Sequence, residues 1–182
     1  MAPSGARSET TQKTRDLAPG EWAVLGLLAE RPNHGFAISK ALAAGGEIGE
    51  IWTLPRPLVY RALGMLKDRG LARPLATEAG KGPNRTILIA TKAGLEALER
   101  WLEEPVAHVR EVRSLLLLKL VYAERSGRDT RPLLERQREV LGPLVEAHRE
   151  RIADSAGRHR TIELWRSECM DAALAFTEKM LT

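Results

Sequence analysis

Arg56-Pro57-Leu58-Val59-Tyr60-Arg61-Ala62-Leu63-Gly64-Met65-Leu66-Lys67-Asp68-Arg69-Gly70 is the stretch on which the fold of this chain turns. Val59, Ala62, Leu63 and Leu66 recur at the three- and four-residue spacing of an amphipathic helix. Pro57 suits the first helical turn, where a missing N–H costs nothing, and Gly70 supplies the C-terminal stop. The opposite face carries Arg56, Tyr60, Arg61, Gly64 and Lys67: three cations, a phenol and a small residue that permits close approach. Such a helix is buried on one side and offers the other to a polyanion.

The chain beyond this helix is extended. Leu71 to Ala76 reads as a short strand, and Pro74, with no N–H to donate, assigns it to a sheet edge. A turn, Glu78-Ala79-Gly80-Lys81-Gly82-Pro83-Asn84, leads to a β-branched run from Arg85 to Ala90, the second strand of a hairpin. Thr91 then caps a helix that runs through Leu95, Leu98 and Leu102 towards Pro105. Upstream, a first helix begins near Pro19, places Trp22, Val24, Leu25, Leu27 and Leu28 in the core, and ends before Pro32. Asn33-His34-Gly35 reads as a tight turn. Phe36, Ile38, Ala41 and Leu42 line a short second helix, which Gly45-Gly46 closes. Helix, helix, helix, strand, glycine-rich turn, strand, helix is the order of a winged helix-turn-helix, here from 17 to 104 and preceded by a flexible polar tail, 1–16.

Charge agrees with the pattern. Between Leu54 and Lys92 there are eight basic and two acidic residues, a net of +6, which leaves −2 for the remainder of a chain carrying +4. The expected partner is double-stranded DNA. The third helix fits a major groove about 12 Å wide. Arg56, Tyr60, Arg61 and Lys67 on that helix are the candidate DNA-binding residues, with Lys81, Asn84 and Arg85 on the wing. A planar guanidinium offers paired donors to guanine or phosphate, which favours Arg56 and Arg61 for base-edge contact. The rival reading is a winged-helix module for protein–protein contact whose basic face is merely solvated. Grouping cations on helix and wing together favours DNA.

From 105 to 182 the pattern is helical throughout. Val109 to Ala123 contains Leu115-Leu116-Leu117-Leu118-Lys119-Leu120-Val121, apolar almost all round. Ser126-Gly127 breaks it. A long helix comes next, with Leu134, Gln137, Leu141, Leu144, His148 and Ile152 on one stripe and an expected kink at Pro143. A final helix aligns Ile162, Trp165, Cys169, Ala172, Phe176 and Met180. So much apolar helix surface exceeds what a small domain buries alone, so this stripe is the candidate homodimerisation face. The predicted fold class is mainly α with a small β-hairpin wing, the C-terminal part being a helical dimerisation domain.

Several function classes are excluded on this reading. No apolar run approaches the roughly 20 residues that a membrane span requires. The N-terminal residues lack a secretory hydrophobic core, which points to the cytoplasm. One cysteine and four dispersed histidines give no metal-ligand set, and no cofactor is expected. Neither a phosphate-binding glycine loop nor a nucleophile elbow is present, so the chain does not read as an enzyme.

These same residues carry a family resemblance. Val24-Leu25-Gly26-Leu27-Leu28-Ala29-Glu30, Pro32, His34-Gly35-Phe36 and Val59-Tyr60-Arg61-Ala62-Leu63 resemble the PadR family of transcriptional regulators. So do Gly82-Pro83-Asn84-Arg85 and Ile89-Ala90-Thr91-Lys92-Ala93-Gly94. The resemblance covers 20–104 well and the helical remainder more loosely. It implies a homodimeric regulator, usually a repressor, on an inverted-repeat operator and released by a small-molecule effector. Among the residues of the final helix, Trp165 is the candidate effector contact. The resemblance assigns Tyr60 to the recognition helix and Arg85 to the wing. Pro57-Leu58 stand where the family usually has glycine and a hydroxyl residue, and Phe36 where a tyrosine is common.

Overall fold

Buried residues run round almost the whole of the first helix, α1 (Pro19–Glu30), in a computed structural model of the chain that describes residues 17–78, 85–154 and 160–182. Trp22 to Leu28 are all buried there, which makes α1 the axis of the N-terminal core. Pro19 opens it, and Glu21 reaches back to accept the N–H of Ala18 at 3.0 Å, satisfying a donor the helix leaves over. The described residues divide into two compact units between Trp101 and Leu102.

Asn33 and His34 form a strand, β1 (Asn33–His34), and not the tight turn expected of them. Their backbones are paired antiparallel with Leu88 and Ile87, a partner remote in sequence that local turn chemistry cannot reveal. Next comes α2 (Gly35–Ala41), in which Ile38 and the following Leu42 are fully buried. Phe36 does not line that core. It is half exposed, because a residue two positions from Ile38 points to the other side of a helix.

The helix α3 (Arg56–Asp68) buries Val59, Ala62, Leu63 and Leu66, the stripe its spacing predicts, and ends before Gly70 at φ +71°. L side chains rarely adopt that backbone, so glycine is the fitting residue there. Strand β2 (Ala72–Glu78) pairs antiparallel with β3 (Arg85–Ala90), and the sheet order is β1-β3-β2. The wing strand with Pro74 therefore lies at an edge, and its register shifts between Pro74 and Ala76. Thr91 joins two elements. Its hydroxyl donates to the Gly70 carbonyl at 2.7 Å and accepts the Gly94 N–H at 3.1 Å, capping α4 (Lys92–Glu103). The buried face of α4 is Ala97, Leu98, Trp101 and Leu102; Leu95, expected there, is exposed because it lies one residue round from that face. Trp101 stacks on Trp22 with centroids 4.8 Å apart and planes 11° from parallel.

The C-terminal unit is helical. A first turn, α5 (Val109–Glu111), passes through a π-helical turn (Val112–Leu116) into α6 (Leu117–Arg125), where a plain α-helix was expected. Gly127, at φ +68°, comes after the end of α6. Then come α7 (Arg131–Asp154), with Pro143 inside it, and α8 (Arg160–Leu181). Val106, Val112, Leu116, Leu120, Leu133, Leu134, Leu141 and Ala173 form the core. Gln137 belongs to the buried stripe for a polar reason: its amide accepts the Val106 N–H at 2.7 Å and donates to the Val106 carbonyl at 3.0 Å. Val145 is buried in place of Leu144, which is exposed, since four residues after Leu141 return closer to its face than three do here. His148 continues that face and is buried, with Nε2 3.2 Å from the Glu163 carbonyl of α8; the side chain of Ile152 is outside the described residues.

The architecture is thus mainly helical, with a small three-stranded antiparallel sheet in the N-terminal unit. No described helix is long and apolar enough to cross a membrane.

Candidate nucleic-acid interface

Burying Val59, Ala62, Leu63 and Leu66 turns the other side of α3 outwards. Arg56, Tyr60, Gly64 and Lys67 succeed one another along that side at helical spacing. Antiparallel pairing of β3 between β1 and β2 brings Arg85 and Thr86 next to the same surface. The result is an open cleft of about 480 Å³ bordered by His34, Phe36, Arg56, Tyr60, Lys67 and Arg85, with Gly35, Leu63, Gly64, Thr86 and Leu88 completing its walls. Three cations and two exposed aromatic rings meet in it, and no acidic side chain among the described residues lines it. Among the predicted DNA-binding residues, Arg56, Tyr60, Lys67 and Arg85 are thereby brought together. Arg61 is exposed on α3 but does not line the cleft. Successive residues of a helix are separated by about 100°, which turns Arg61 away from the side that Tyr60 occupies. Lys81 and Asn84 lie outside the described residues, as does the tail 1–16.

Local contacts hold this surface in shape. A Cβ at Gly35 would stand 2.8 Å from Tyr60 Cε1 and 3.2 Å from Leu63 Cδ1, so any side chain there would push the phenol ring away from the start of α2. His34 caps α2, its Nδ1 accepting the Ala37 N–H at 3.0 Å, which requires that nitrogen to be unprotonated. The guanidinium carbon of Arg56 stands 5.6 Å from the centroids of both Phe36 and Tyr60, within cation–π range. Arg85 stands 5.9 Å from the Phe36 centroid. Sequence reasoning missed Phe36 as part of this site. Its spacing from Ile38 was the available signal, because it excluded Phe36 from the buried stripe.

The candidate dimerisation residues are distributed unevenly over α8. Ile162, Trp165 and Met180 are 49%, 70% and 41% exposed, and Ala172 is exposed as well. Cys169 is half-buried, and Phe176 packs partly against the core of its own unit. Among the described residues no cluster of His, Cys, Asp or Glu is arranged to hold a metal ion.

Residues 24–100 match the sequence profile of the transcriptional regulator PadR-like family. No curated protein matches the chain. Among solved structures, the crystal structure of Bacillus subtilis PadR in complex with operator DNA is similar at 17% sequence identity, with a TM-score of 0.45. That match covers 89% of this chain and 97% of the other.

Proposed function

From the match of residues 24–100 to the transcriptional regulator PadR-like family, we propose that this chain is a DNA-binding transcriptional repressor that binds an inverted-repeat operator as a homodimer. One observation carries the reading: Arg56, Tyr60, Lys67 and Arg85, from the third helix and the wing, border a single cleft with no acidic side chain among its described lining residues. In this reading α3 enters the major groove, and Arg56 and Arg61 donate to base edges. Tyr60 and Lys67 donate to phosphate oxygens, and the wing residues Lys81, Asn84 and Arg85 track the neighbouring backbone. The exposed residues of α8, Ile162, Trp165 and Met180 foremost, meet their counterparts across a two-fold axis with Cys169, Ala172 and Phe176 alongside. A small-molecule effector held between subunits against Trp165 releases the operator by altering the spacing of the two recognition helices.

Selection of duplexes from a random pool by the full-length chain, and then titration at several salt concentrations, tests the proposal. Enrichment of a palindrome with half-sites about 34 Å apart is expected. The logarithm of the affinity should fall linearly with that of salt, by about 0.9 for each phosphate neutralised. Failure to enrich any sequence, or a salt slope near zero, overturns the reading in favour of a protein-contact module.

A further inference from the structure

Phe36 is a half-exposed phenylalanine that contacts two arginines from elements remote in sequence. Arg56 opens α3 and Arg85 opens β3, yet both guanidinium groups lie over this one ring, at 5.6 and 5.9 Å from its centroid. Tyr60 contacts Arg56 from the same helix, and so cannot by itself relate helix to wing. Phe36 does, from a third element, the first turn of α2.

A free arginine side chain samples many rotamers, and ordering it on binding opposes association. The negative face of a phenyl ring attracts a guanidinium while leaving its N–H edge free to donate in plane. It also offsets the repulsion of two cations held close together before any phosphate arrives. Leucine fills a similar apolar volume but has no quadrupole.

We infer that Phe36 is a positioning residue for DNA binding, holding Arg56 of the recognition helix and Arg85 of the wing in one fixed relation so that both engage a duplex together. The inference rests on the DNA-binding reading and deepens it. Phe36 need not touch a base for this; it acts through the two arginines.

The test uses the full-length chain and a duplex that the wild type enriches from a random pool. F36L should bind that duplex about five-fold more weakly, the loss expected of exposed cation–π contacts. It should melt with the wild type, because Phe36 is half exposed. F36Y, which keeps the ring face, should restore binding to within about two-fold. In an R56Q background the F36L loss should shrink below about two-fold, since one of the two held groups is already gone. Equal losses for F36L and F36Y, or an undiminished F36L loss beside R56Q, overturn the inference and leave the DNA reading intact. If the wild type enriches no duplex, the DNA reading falls and this inference falls with it.

Discussion

Lys119 has an ammonium group almost withdrawn from water, the residue being 3% exposed, and donates to the Glu104 carbonyl at 2.8 Å. Burial lowers its pKa from 10.5 to about 8, against the opposing pull of the Glu104 and Glu111 carboxylates. The folded pKa lies below the unfolded one, so between those two values the unfolded chain binds more protons. The contribution to stability is complete above pH 10.5 and is lost as pH falls through about 8. A shift of this size corresponds to about 3 kcal/mol. Urea unfolding at pH 7.5 and again at pH 10 should show the wild type gaining stability relative to Lys119→Met. Parallel behaviour of the two proteins would contradict the assignment. Arg61 poses a different question, since it is exposed on α3 but does not line the cleft. Arg61→Ala should weaken binding to the selected duplex by roughly 1–3 kcal/mol and relax the preference at one base pair. Lys81→Ala, directed at phosphate, should weaken every sequence alike. An Arg61→Ala loss that is uniform across sequences would make Arg61 a phosphate contact.

Among the elements, the segment between α4 and α5 is tied to α7 at Val106 by one buried side chain. Gln137, fully buried, occupies both the N–H and the carbonyl of Val106. Gln137→Leu keeps the apolar stripe of α7 continuous, yet leaves two buried backbone groups unsatisfied. The expected cost is about 2–4 kcal/mol, read as a lower urea midpoint at unchanged slope. A neutral substitution would mean that water replaces the amide. The stripe including Gln137 was legible from spacing, whereas its bonds to Val106 were not, because they depend on how α7 packs against a distant segment. The same distinction separates Val59, Ala62, Leu63 and Leu66, all buried as their spacing predicts, from Phe36, Leu95 and Leu144, which are exposed. Within α3 the apolar stripe and the cations divide the helix cleanly; in α7 the adjacent Leu144 and Val145 are both apolar, so residue type alone does not say which of them turns inward.

At the scale of the whole molecule, the exposed face of α8 is the feature with the largest consequence. Ile162 and Trp165, one turn apart on α8, are both exposed, and monomeric proteins seldom leave a large contiguous apolar patch in water. Trp165, at 70% exposure, has little to do with the packing of its own chain, so Trp165→Asp should fold normally. Light scattering should report a dimer for the wild type and a monomer for Trp165→Asp, with weaker operator binding once the two half-sites are no longer joined. A Trp165→Asp dimer of full operator affinity would remove α8 from the interface.

Sequence alone determined the features set by spacing within one element. These are the two faces of α3, the stop at Gly70, the edge position of the strand with Pro74 and the Thr91 cap, each governed by backbone geometry over a few residues. Tertiary structure decided the rest: the pairing of Asn33 and His34 with β3, and the meeting of Arg56 with Arg85 on Phe36. Each of these requires groups far apart along the chain to arrive at one place. That proximity results from the burial of many side chains at once, and no local pattern encodes it.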